Sequence, residues 1–203
     1  MATTRQDFYP LSEIIREIDE YLSTSPRLDY VTFAGSGEPT LSTRIGPVIR
    51  HLKTAWPDYR IAVLTCGSLL TDPDVRSEIL GADVVIPTLS TVMEDTFMQI
   101  HRPAPGISSA MIVEGIIRFR DEYEGKMWLE VFIIPGINTL DAELSALSRA
   151  LVRIRPDRVQ INTLDRPGTC SWVTPATPDE LLRIRTILNC PGAEIIPSES
   201  LFS

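Results

Sequence analysis

The chain has 203 residues, 43% of them hydrophobic and 23% charged, with a formal net charge of −8 at pH 7. This composition is ordinary for one globular domain, and the acidic balance argues against a broad nucleic-acid surface, whose affinity comes from clustered Lys and Arg displacing counterions. The most apolar stretches, DVVIPTL and WLEVFIIPGI, are broken by charge or proline and fall well short of the ~18 apolar residues of a membrane span.

The N-terminal MATTRQDFYP lacks the apolar core of a signal peptide. Leu11, Ile14, Ile15, Ile18, Tyr21 and Leu22 then recur at helical spacing, with acidic and basic residues between them, which predicts an amphipathic helix. DYVTFAG reads as a buried strand. A second helix runs through Ile45, Val48, Ile49 and Leu52 and stops before Pro57. RIAVLTCG is the next strand, TDPDVRSEILG a short helix closed by Gly81, and ADVVIPTLS a strand. TVMEDTFMQI and SAMIVEGIIRFRDEY follow as helices and KMWLEVFIIPG as a strand. Leu140, Leu144, Leu147, Leu151 and Ile154 mark a further helix, RVQINTL a strand, and Thr177 with Pro178 the start of the last helix. AEIIPS is a candidate final strand.

Apolar strands separated by amphipathic helices specify an α/β chain with a parallel sheet of five or six strands. With no repeat and no Gly- or Ser-rich linker, residues 1–203 read as a single domain. Periodicity does not separate an open doubly wound sheet from a full or partial barrel, but both place ligands at the carboxyl ends of the strands. Those ends are Gly35 to Pro39, Thr65 to Ser68, Thr88 to Thr91, Pro135 to Asn138 and Gln160 to Thr163.

GSGEP, from Gly35 to Pro39, is not a dinucleotide fingerprint, since Thr40 stands where a third glycine is needed, and no P-loop lysine follows. Read locally, it is a strand-to-helix turn in which Pro39 starts the next helix. It also offers backbone groups unshielded by a Cβ beside the Glu38 carboxylate, which suits a ligand ammonium group and repels a phosphate. In HRPAPG, Arg102 is a possible anion-binding residue in a proline-stiffened loop, and Gln160, Asn162 and Thr163 can orient a ligand or satisfy nearby backbone. Cys66, Cys170 and Cys190 are widely spaced, which suits reduced thiols and a cytoplasmic location rather than disulfides, zinc or a cluster motif. Arg149, Arg153, Arg155 and Arg158 read as a solvated helix end.

Taken in order and spacing, VTFAGSGEPTL, IAVLTCGSLL, VVIPTLS with HRPAPG, WLEVFIIPGIN and VQINT resemble the radical S-adenosylmethionine superfamily. The likeness extends from about Phe8 to about Leu188 and is nearest to the iron-sulfur oxidoreductases related to wybutosine-synthesis enzymes. It implies a partial (βα)6 TIM-type barrel, the first strand and cluster loop of the family missing, and a cofactor site for S-adenosylmethionine. Gly35, Gly37, Glu38 and Pro39 match the family's GGEP-type turn, which binds the amino group of S-adenosylmethionine. Thr65, Thr88 and Asn162 fall where the family holds carboxylate, ribose and adenine. Cys66 stands where relatives commonly have Asn, and Ser90 where they commonly have Asp.

The family's C-x-x-x-C-x-x-C, which holds a [4Fe-4S] cluster, would precede the first helix and is absent from the chain. The resemblance therefore implies most of an iron-sulfur oxidoreductase domain that, with the missing segment, would cleave S-adenosylmethionine to a 5'-deoxyadenosyl radical, and that is inactive alone. Two alternatives stand beside it: a non-catalytic module that binds S-adenosylmethionine or adenosine or acts as a scaffold, and an enzyme modifying transfer RNA, which the net charge opposes. A sheet lacking its first strand would also expose an unpaired edge and favour self-association.

Overall fold

The structure, a computed structural model, describes residues 4–35, 37–165, 170–190 and 192–196. The elements in chain order are α1 (Leu11–Leu22), β1 (Val31–Phe33), a 3-10 turn (Pro39–Leu41), α2 (Ile45–Ala55), β2 (Ile61–Thr65), α3 (Pro73–Ile79) and β3 (Val84–Pro87). They continue with α4 (Glu94–His101), α5 (Ser109–Glu122), β4 (Lys126–Ile133), α6 (Asp141–Ile154), β5 (Arg158–Thr163), α7 (Pro178–Leu188) and β6 (Ala193–Ile195). Every strand and helix expected from the sequence is present. Thr177 caps α7 in a reciprocal pair with Glu180, with Pro178 in the first turn as its fixed φ favours.

Three local readings differ, the first being Arg158, which opens β5 and lies over Trp128 instead of belonging to the solvated end of α6. Pro39 opens the 3-10 turn rather than α2, because Glu38 caps that turn and Ser42 leaves it in an extended conformation, so that α2 starts at Ile45. Gly81 is not the left-handed stop of α3: the helix ends at Ile79 with Leu80 still right-handed, and Gly81 is not among the positive-φ glycines.

All strands pair in parallel and their order in the sheet is their order in the chain, β1-β2-β3-β4-β5-β6. A doubly wound sheet reverses its order at a switch point, whereas an unreversed order puts each right-handed crossover on the same face and makes a barrel wall. Among the described residues β1 and β6 each pair on one side only, so the wall remains open as a partial (βα)6 barrel.

The alternation along β4 distinguishes its two faces. Met127, Leu129, Val131 and Ile133 are fully buried under the helices, and Trp128, Glu130 and Phe132 are half-buried on the concave face. The helical side forms one apolar core, in which Val63, Val85, Leu129 and Ile161 meet Ile49, Ile79, Phe119, Leu147 and Ile184. Each such side chain contributes about 1.5–3 kcal/mol by leaving water. On the concave face near the amino ends of the strands, Tyr30 and Trp128 pack edge to face at 6.2 Å, with Arg60 over Tyr30 at 4.5 Å and Arg158 over Trp128 at 4.6 Å. These side chains occupy that end and leave the carboxyl ends for ligands.

The segment before α1 is extended and tied to the 3-10 turn. Gln6 N–H donates to the Leu41 carbonyl at 2.9 Å, Thr43 N–H donates to the Gln6 carbonyl at 3.3 Å, and Arg5 donates to the Thr40 carbonyl at 3.0 Å while pairing with Glu78.

Candidate ligand site at the strand ends

A cleft of about 370 Å³ opens at the carboxyl ends of β1, β2 and β3, lined by Gly35, Gly37, Glu38, Pro39, Thr65 and Thr88 together with Ala34, Leu64 and Cys66. Six of the seven residues that the resemblance gives to the cofactor thus meet in one place; Ser36 between them lies outside the described residues. A Cβ placed on Gly35 or Gly37 would meet no described atom within 4 Å, so packing does not demand a glycine at either position. What their small size provides is an open backbone facing the cleft.

Glu38 is the organising side chain. Its Oε1 accepts the Thr40 N–H at 3.1 Å, the Thr40 hydroxyl at 2.6 Å and the Thr65 hydroxyl at 2.6 Å, and its Oε2 accepts the Cys66 N–H at 2.6 Å. One oxygen is therefore filled by protein donors, while the other keeps acceptor capacity toward the cleft. The Thr65 hydroxyl in turn accepts the N–H of Gly67, whose positive φ turns the chain off β2. Surrounding protein and then the Glu38 carboxylate push the Cys66 thiol up to about 11, which keeps it protonated at neutral pH although its side chain reaches solvent.

Asn162 sits apart from this cleft but is joined to it. The Thr88 hydroxyl donates to Glu130 Oε2 at 2.6 Å and Asn162 Nδ2 donates to Glu130 Oε1 at 2.8 Å, so one carboxylate bridges β3 and β5 across the concave face. Asn162 is 6% exposed and its Oδ1 is buried without a partner among the described residues, an acceptor left open next to the network. Glu130 went unnoticed in the sequence, where it interrupts an apolar strand. Period-two reading of MWLEVFI would have placed it with Trp128 and Phe132, on the face opposite the core.

Other strand-end residues serve the fold. Asn138 is fully engaged, accepting from Ile134 N–H and donating to the Ser90 and Phe132 carbonyls, each at 2.8 Å. Ser90 accepts the Phe132 N–H at 3.2 Å, and Thr163 donates to the Ile133 carbonyl at 3.1 Å and accepts the Ala176 N–H at 2.8 Å.

Residues 1–147 match the Radical SAM superfamily. The chain belongs to that superfamily. Structures of radical SAM proteins share its fold. A domain of pyruvate-formate lyase-activating enzyme from Bacteroides vulgatus superposes with a TM-score of 0.64 at 18% identity, covering 84% of this chain and 100% of that one. SuiB from Streptococcus suis, in a structure bound to S-adenosylmethionine, superposes with a TM-score of 0.70 at 12% identity, covering 95% of this chain and 44% of that one. Among curated sequences, a protein named GTPase Obg from Brachyspira hyodysenteriae is 40% identical over 98% of this chain, which spans 29% of it. UPF0026 proteins from Methanocaldococcus jannaschii and Synechocystis are 29% and 32% identical over 91% and 82% of this chain, which spans 58% and 61% of them. The chain is thus similar to a part of each of these relatives.

The residues present do not fit the superfamily's iron-sulfur cluster. Cys66 follows β2, Cys170 follows β5 and Cys190 follows α7, and no three His, Cys, Asp or Glu side chains come together as a metal site among the described residues. No described helix is long and apolar enough to cross a membrane.

Proposed function

We propose that this chain is the S-adenosylmethionine-holding part of a radical SAM oxidoreductase and that the [4Fe-4S] cluster, where there is one, is held by residues outside it. The observation that carries the reading is the convergence of Gly35, Gly37, Glu38, Pro39, Thr65 and Thr88 on one cleft whose glycines no packing contact requires. The ammonium of the methionyl group would lie on the open backbone at Gly35 and Gly37 and the free face of Glu38 Oε2. Thr65 and Thr88 would take the polar groups further along, and the buried Asn162 acceptor would take a donor from the adenosine half. Bound S-adenosylmethionine would supply a sulfonium for reductive cleavage. The chain's own part is to orient that ligand and exclude water. No radical step is assigned to these residues by themselves.

A non-catalytic ligand module is the second reading, favoured by the misfit of the cysteines to a cluster. Transfer RNA as the substrate is opposed by the net charge of −8. The GTPase name of one relative does not carry over, since this chain contains no G-x-x-x-x-G-K-[ST] run.

Calorimetry with S-adenosylmethionine tests the reading: saturable binding by the chain and at least a roughly tenfold loss in Glu38→Ala are expected. Absence of binding by the unsubstituted chain overturns it. Anaerobic incubation with iron and sulfide is expected to yield no stoichiometric [4Fe-4S] spectrum, and a stoichiometric cluster would refute the assignment of its ligands to other residues.

A further inference from the structure

A second cavity, about 500 Å³, lies at the carboxyl ends of β3, β4 and β5 and shares Thr88 with the glycine-lined cleft. Its volume falls in the range of small-molecule sites. Its floor and rim differ in charge. At the floor stands Glu130, already accepting from Thr88 and Asn162, so an anion is disfavoured there and a hydroxyl or amine donor is favoured. The exposed Arg102 and Trp172 mark its rim, and the half-buried His101 and Phe132 also line it.

The rim carries the specificity. Arg102 takes a left-handed conformation as the cap of α4, with φ 45° and ψ 56°. Its only described hydrogen-bond neighbour is the Cys170 sulfur at 3.8 Å, and no carboxylate among the described residues lies within 4.0 Å. Arg5, Arg44, Arg76, Arg120 and Arg158 are each paired with an acid; Arg50, Arg60, Arg149 and Arg185 share the lack of one among the described residues, but none of those four lines either cavity. Trp172 is 46% exposed at the cavity mouth, a flat apolar face held partly in water. Burial lowers the pKa of His101, which packs against Phe97 with ring centres 5.0 Å apart, so it stays neutral at pH 7 and offers a donor and an acceptor rather than a second charge.

We propose that this cavity binds a small planar anion, an aromatic ring bearing a carboxylate or phosphate, with the ring against Trp172 and Phe132 and the anion on the Arg102 guanidinium. A planar guanidinium matches either anion in two-point geometry, and an aromatic wall takes the ring. The inference stands on this cavity alone and does not need the cofactor reading.

The test follows the indole N–H signals of the ¹⁵N-labelled chain, with Trp172 assigned by its loss in Trp172→Phe. Phenyl phosphate and benzoate are titrated as the two anion sources, with benzyl alcohol and benzylamine as neutral and cationic controls. Saturable movement of the Trp172 signal by at least one anion is expected, weakened roughly tenfold or more in Arg102→Gln and less in Arg102→Lys, which keeps the charge but not the planar fork. Three results would overturn the proposal: no saturable shift with either anion, equal or tighter binding of benzylamine, or unchanged affinity in a folded Arg102→Gln. A chain that fails to bind S-adenosylmethionine but passes these tests keeps the inference and loses the proposed function.

Discussion

The Thr65 hydroxyl donates to the Glu38 carboxylate at 2.6 Å, which ties the loop after β1 to the end of β2 through side chains rather than through the sheet. Glu38→Gln replaces one acceptor by an NH2 group facing either the donors on Oε1 or the Cys66 N–H. A loss of about 1–3 kcal/mol in urea-unfolding stability is expected. Thr65→Val removes one donor to Glu38 and the acceptor for the Gly67 N–H, with a cost in the same range. A Gln variant as stable as the parent chain would show that the carboxylate is not what holds this loop.

Glu130 is expected to matter to β3 and β5 together. Glu130→Ala leaves the Thr88 hydroxyl and the Asn162 amide without their acceptor, at about 1–3 kcal/mol on unfolding. Glu130→Gln costs less, because Asn162 can turn its amide over and present Oδ1 to the new NH2 group. Equal destabilisation by the two substitutions would refute the bridge.

The α1–α2 contact is sensitive to acid. Hydrogen bonds from His51 at 2.7 Å and from the Trp56 indole at 2.6 Å hold the Asp19 carboxyl below the usual carboxylate range. A depressed folded-state pKa means that the stabilisation is fully present above the unfolded value of about 3.9 and fades as pH falls through the folded value. Asp19→Asn should therefore be less stable than the parent chain near neutrality, with the gap closing below about pH 4. Thermal melts across that window measure this, and a gap that widens in acid contradicts it.

Among the described residues β1 pairs only with β2, so its outer edge presents unpaired backbone there. Concentration-dependent association in sedimentation velocity is expected, reduced by Thr32→Lys, which puts a charge on the exposed middle residue of that strand. A monomer at all concentrations would mean that the edge is covered.

The fold was legible because its signals are local and long. Helices such as Asp141–Ile154 repeat an apolar stripe over several turns, and strands such as Ile61–Thr65 are apolar on both faces. Strand order was not legible, since open sheets and barrels share the same crossovers and differ only in which strand each returns to. Within the site, GSGEP and the threonines stood out at strand ends, where glycine and hydroxyl residues are conspicuous. Glu130 did not, because its meaning depends on Thr88 and Asn162, 42 and 32 residues away. The role of Glu38 was legible only in part: its place at the cleft was expected, its use as the staple between two loops was not.

The segment around Gln6 ties the chain ahead of α1 to the turn beside the cleft. Gln6 N–H donates to the carbonyl of Leu41, the last residue of the 3-10 turn that Glu38 caps, and the Gln6 carbonyl accepts the N–H of Thr43 just beyond that turn. A ligand that stiffens this turn will slow amide exchange at Gln6 and Thr43. By thermodynamic reciprocity, a change that stabilises these two backbone bonds will tighten that ligand by the same factor.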